Sequence, residues 1–138
     1  MYRAKAAPDS LTDNGLALDG ILGSGPRASE DAFWFNLEGG YFGCADGGQS
    51  HCLLTFQGYQ GPEQERSNAV QSFEIPPCPA LKDCQLRHIH FSETFRSLSG
   101  LQISAKIEGK AVDYYMDDLE VSWYNNTCAA QANRSFKE

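Results

Sequence analysis

Leu101-Gln102-Ile103-Ser104-Ala105-Lys106-Ile107 alternates apolar and polar residues without a break. Successive side chains of a strand point to opposite faces, so Leu101, Ile103, Ala105 and Ile107 line one buried face. Gly109 follows, and Val112, Tyr114 and Met116 resume the pattern, which predicts a β-hairpin. Leu119, Val121 and Trp123 finish the run, and Trp123, in phase with the other two, is expected in the core. Met116 and Leu119 stand three residues apart, so the inward phase slips at Asp117-Asp118. A β-bulge produces such a slip, because one extra residue re-aims the side chains that follow.

The same period governs the sequence upstream. Phe33, Phe35 and Leu37 share one face and Trp34 and Asn36 the other, before Gly39-Gly40 interrupts the run ahead of Tyr41-Phe42. Leu54 and Phe56 alternate with Leu53, Thr55 and Gln57 as far as Gly58-Tyr59, and residues 60–69 read as a polar loop. Phe73 and Ile75 mark a short strand stopped by Pro76-Pro77, and Ile89 and Phe91 alternate with His88 and His90. Residues 1–30, with Gly15, Gly20, Gly23, Gly25, Pro8 and Pro26, read as loop with room for one short strand. Six or seven short strands without a helical stripe predict an all-β fold, an antiparallel β-sandwich or barrel. The expected organisation is a loop-rich segment over 1–30, a β-sandwich over 31–128 and a C-terminal tail over 129–138.

At 138 residues the chain is one domain. Eleven Lys and Arg against 18 Asp and Glu give a net charge of −7, which argues against a nucleic-acid partner. No apolar run approaches the roughly 18 residues of a membrane span. MYRAKAAPDS at the N-terminus has no apolar signal core. We therefore expect either a leader already removed or an excised portion of a longer chain.

Of five cysteines, four form close pairs, Cys44/Cys52 and Cys78/Cys84, each across a loop rich in Gly, Pro or Asp. Such loops bring cysteines within disulfide reach, so bridges Cys44–Cys52 and Cys78–Cys84 are expected. Free buried thiols and a zinc site are the alternatives, although C-x2-C knuckles are missing. Cys128 is left over, a surface thiol or an intermolecular one. Two glycosylation triplets, Asn125-Asn126-Thr127 and Asn133-Arg134-Ser135, add to a secreted, extracellular reading.

The order Phe33-Trp34-Phe35-Asn36-Leu37, Leu54-Thr55-Phe56-Gln57-Gly58-Tyr59, Leu98-Ser99-Gly100-Leu101-Gln102-Ile103 and Tyr115-Met116-Asp117-Asp118-Leu119-Glu120-Val121 resembles a jelly-roll module. It is similar to secreted fungal proteins of poorly characterised function with the same cysteine pairs. More distantly it is similar to extracellular domains of PEP-CTERM-sorted bacterial proteins and to carbohydrate-binding modules. The resemblance implies a jelly roll, an extracellular location and a structural calcium at Asp117 and Asp118. The bulge offers the other reading, an aspartate satisfied by backbone N–H groups. The opening strand of such modules has no evident counterpart in residues 1–30, which leaves open whether the sandwich has its first strand or lacks it.

Tyr115-Met116-Asp117-Asp118 also spells a polymerase signature, which this small, acidic chain does not support. His88-Ile89-His90 places two imidazoles on one strand face, as a metal site or a solvent-facing pair. No nucleophile motif occurs, and nothing in the spacing of Glu38, Asp46, Asp117 and Glu120 selects a glycosidase pair, so no enzyme is expected. Trp34, opposite in phase to Phe33 and Phe35, is the best candidate for an exposed indole, with Tyr59 and Tyr114 as companions in a sugar-stacking platform. The function expected is a non-catalytic module that binds a polysaccharide or cell-wall glycan. The rival is a secreted effector or adhesion protein with a protein partner, and a jelly-roll glycan hydrolase or lyase comes third.

Overall fold

Most of the alternating stretches become strands. The computed structural model describes residues 2–4, 21–45, 50–77 and 85–136. Within them run β1 (Tyr2–Ala4), β2 (Ile21–Gly23), β3 (Phe35–Cys44), β4 (Cys52–Gln60), β5 (Glu65–Ile75), β6 (Arg87–His90), β7 (Leu98–Ile107), β8 (Lys110–Ala111) and β9 (Tyr114–Trp123). A helix, α1 (Cys128–Phe136), closes the described chain, and single 3₁₀ turns occupy Gly25–Arg27 and Asp31–Phe33.

All pairings are antiparallel, and the strands fall into two groups. The first sheet has the order β1-β9-β3-β6 and the second β2-β7-β4-β5. One residue pair, Phe35 with Leu98, joins them at a corner. Successive strands alternate between the sheets except for the β4–β5 hairpin and the short β8, which folds back on β7. These two strand orders are those of a jelly roll, the double Greek key that closes a sandwich on itself.

The first strand, left open by the sequence, is present. Tyr2–Ala4 pairs with Tyr114–Met116 at the edge of the first sheet, and Ile21–Gly23 pairs with Gly100–Gln102 at the edge of the second. Residues 1–30 thus supply both opening strands. The hairpin predicted after Ile107 is real but brief. Glu108 and Gly109, with φ of 51° and 80°, make the tight turn that the right-handed twist of paired strands favours. The chain leaves β7 after Ala111 and crosses to the other sheet as β9. Residues 65–69, read as loop, belong to β5, whose hairpin turn is confined to residues 61–64.

The core lies between the sheets. Leu37 and Phe42 of β3 face Leu54 and Phe56 of β4 and Leu101, Ile103 and Ala105 of β7, all buried. Phe91 and Phe95, between β6 and β7, join them there. Phe42 meets Phe56 edge to face at 5.0 Å, Phe56 meets Phe91 at 4.8 Å, and Phe91 meets Phe95 at 5.1 Å. The disulfide Cys44–Cys52 links the end of β3 to the start of β4 and so ties one sheet to the other. Cys78, Cys84 and Asp46 lie outside the described residues.

Two corrections concern the C-terminal end. Residues 128–136 form a helix rather than an irregular tail, capped by Thr127, whose Oγ1 accepts from the Ala130 N–H at 3.1 Å. Trp123 is 45% exposed and stands outside the core cluster. Its strand phase is as read, paired with Phe35, but its cover comes from α1: the Arg134 guanidinium lies 4.4 Å above the indole. Arg134 is itself buried, donating to the Ala32 carbonyl at 2.6 Å and the Asn125 carbonyl at 2.9 Å.

Candidate functional site

The outward face of the first sheet gathers aromatic and hydrogen-bonding side chains into one band. Phe42 points into the core, so its neighbour Tyr41 points out, and at 40% exposure it is the open aromatic of that end. His88 sits opposite Tyr41 on β6 and meets its ring edge-on at 4.9 Å. Gly39, one step along, has no side chain. A Cβ there would come within 3.3 Å of both the Glu120 carboxylate and the His88 ring. The bare glycine lets these two reach each other across β3, and His88 Nε2 and Glu120 Oε1 share a hydrogen bond of 2.8 Å.

The middle of the band is polar. Asn36 Nδ2 donates to Ser122 Oγ at 3.3 Å, and the Ser122 hydroxyl donates to Glu38 at 3.3 Å. Arg96 approaches the same carboxylate at 3.9 Å, and the Ser97 N–H donates to Asn36 Oδ1 at 3.0 Å. The far end is aromatic again. Tyr124 continues the outward phase of Ser122, is 51% exposed, and packs against Trp34 at 5.8 Å between ring centroids. Asp31 and Asn125 are hydrogen-bonded to each other on the segments that lead into these rings.

The expected platform of Trp34, Tyr59 and Tyr114 does not assemble. Trp34 points outward as its phase predicts, yet it is half-buried, and its indole N–H donates to the Ala28 carbonyl at 2.7 Å. Tyr59, on the second sheet, is only 8% exposed and spends its hydroxyl on Gln102. Tyr114 is 4% exposed, within the core cluster. Trp34's companion is Tyr124, and the aromatic at the other end of the face is Tyr41. Tyr124 was missed because it follows the last residue of the alternating run, and Tyr41 because the glycines before it obscure its phase.

The bulge predicted at Asp117-Asp118 is present. Tyr41 pairs with Asp117 and Gly39 with Glu120, so β9 carries one residue more than β3 between these pairs. Asp118 takes the extra place with φ of 48°, is exposed, and donates its N–H to Asp117 Oδ1 at 3.0 Å. A second bulge on β3, between Leu37 and Gly39, turns Glu38 toward Ser122. Two adjacent carboxylates supply at most four of the six to eight oxygens that calcium takes. Among the described residues no three His, Cys, Asp or Glu side chains gather where they would hold a metal ion.

No helix among the described residues is long and apolar enough to cross a membrane. No curated protein and no solved structure matches the chain. A family match covers residues 1–134, nearly the whole sequence and both opening strands of the jelly roll. The chain belongs to the family described as domain of unknown function DUF7371.

Proposed function

We propose that this jelly roll is a secreted, non-catalytic module that binds an extended polysaccharide along the outward face of β6, β3 and β9. The supporting observation is the order of side chains on that face: aromatic rings at both ends and hydrogen-bonding groups between them. A sugar ring has an apolar C–H face and a hydroxyl rim. The faces stack on Tyr41 and on the Trp34–Tyr124 pair, while the rims meet Asn36, Glu38, Ser122, His88 and Glu120. Sites of this kind combine apolar surface with a few placed polar groups. Six strand residues, 35–40, lie between Trp34 and Tyr41, a distance of about 20 Å at the usual rise, which suits a chain of several sugars rather than one. Secretion is supported by the Cys44–Cys52 disulfide, since such bonds persist in oxidising compartments, and by the resemblance to secreted fungal modules.

A protein partner is the second reading. Val121 and Trp123, both exposed on the opposite side of the same strand end, favour it, since exposed tryptophan is typical of binding hot spots. Retention on insoluble cell-wall polysaccharides, combined with a glycan array, separates the two. The polysaccharide reading expects retention by the wild type and a loss of about tenfold or more in Tyr41→Ala and Tyr124→Ala, with little change in melting. Undiminished retention in Tyr41→Ala and Tyr124→Ala would refute it.

A further inference from the structure

The two Asn-x-Ser/Thr triplets occupy different surroundings. Asn133-Arg134-Ser135 lies inside α1. Asn133 Nδ2 donates to Glu30 Oε1 at 3.1 Å, and Ala130 and Arg134, on the same face of the helix, are buried. Positions i and i+2 of a helix do not face each other, so the Ser135 hydroxyl is turned away from the Asn133 amide. Asn125-Asn126-Thr127 lies in the connection between β9 and α1. Asn125 Oδ1 accepts from the Thr127 N–H at 3.1 Å, which folds the third residue of the triplet back toward the acceptor amide. Asn125 Nδ2 gives one hydrogen to Asp31 Oδ1 at the surface, at 3.1 Å, and has a second to spare.

We propose that Asn125, and not Asn133, carries an N-linked glycan in the secreted protein. The inference rests on the secretion part of the reading above and not on the polysaccharide face. The donor is an oligosaccharide joined through a diphosphate to a lipid. Asn125 Nδ2 forms the bond to the anomeric carbon, the bond from that carbon to the phosphate oxygen breaks, the lipid diphosphate leaves, and Nδ2 releases one proton. The remaining N–H keeps the contact with Asp31. The fold decides which product is compatible with the native state. A glycan on Asn125 leaves from a surface connection. On Asn133 it would wedge between α1 and the Asp31–Phe33 turn, breaking the Glu30 contact and lifting Arg134 from the Ala32 carbonyl.

The test directs the full chain through the secretory pathway of a glycosylating eukaryotic host and reads site occupancy by glycopeptide mass spectrometry, alongside the gel shift removed by a glycan-releasing amidase. One shift is expected in the wild type. It survives intact in Ser135→Ala and is lost in both Asn125→Gln and Thr127→Ala, the second variant guarding against poor secretion of the first. Occupancy of Asn133, or a shift that survives Asn125→Gln, overturns the assignment. A secreted chain with the Cys44–Cys52 bond formed and Asn125 bare overturns the site and leaves the compartment standing. Wild-type chain retained in the cell with Cys44 and Cys52 as free thiols overturns both.

Discussion

Replacing Cys44 and Cys52 together by alanine removes the covalent tie between the two sheets. The two cysteines are eight residues apart. Cross-linking a loop of that length lowers the entropy of the unfolded chain by an amount worth about 2.5 kcal/mol at 25 °C. Cys52 is fully buried within the core cluster, and losing its sulfur there leaves a small void that adds about 1 kcal/mol. For a domain of 138 residues, an unfolding entropy of about 2.1 cal/mol/K per residue converts about 3.5 kcal/mol into a fall in Tm of about 12 °C. Differential scanning calorimetry of Cys44→Ala/Cys52→Ala against the wild type, both oxidised, reads this directly. The substitution is preferable to a reductant because it leaves Cys78 and Cys84 untouched. A fall of less than about 3 °C would refute the view that this bond stabilises the sandwich.

Arg134→Met keeps an apolar stem over Trp123 but strands the Ala32 and Asn125 carbonyls, so chemical denaturation should show a loss of about 2–4 kcal/mol. Asp118→Gly relieves a left-handed backbone at the bulge and should gain about 0.5–1 kcal/mol by the same assay; a loss would mean that the carboxylate is needed there. Cys128 is exposed and unpaired, so a thiol reagent should label it in the native state, and a disulfide-linked dimer formed on oxidation should vanish in Cys128→Ser.

The sequence was most legible where burial alone dictates the pattern. Leu101, Ile103 and Ala105 face the core because a strand whose sheet packs on another must hide every second residue. The bulge at Asp118 could be read from the three-residue gap between Met116 and Leu119, both of which pack on the core. The Cys44–Cys52 bridge could be read because it is local. Tertiary partners decided the remainder. Tyr2–Ala4 and Ile21–Gly23 are strands of three residues each, too short for a period, and their conformation comes from the edges of β9 and β7. Thr127 and the alanines at 129, 130 and 132 are a cap and good helix formers, a signal overshadowed by the strands before them. Alternation gave the correct side for Trp34 and Trp123, yet side is not exposure. Trp34, expected to be open, is half-buried with its indole N–H bonded to the Ala28 carbonyl, and the sandwich leaves Trp123 outside the core. The candidate face was illegible because the bulge on β3 is needed to bring Tyr41 onto the same surface as Asn36 and Glu38, and because His88 and Glu120 meet only through the pairing of β6, β3 and β9.

The claim that aromatic rings at both ends of one sheet face grip a single polysaccharide chain is tested most directly by the length dependence of binding. Isothermal titration with oligosaccharides of increasing length, drawn from whichever polysaccharide retains the protein, compares the wild type with Tyr41→Ala/Tyr124→Ala. Affinity is expected to rise about tenfold or more until the ligand spans about 20 Å from Tyr41 to Tyr124, with a weak, flat series in the double variant. Equal affinities for short and long ligands, or the same series in both proteins, would contradict it.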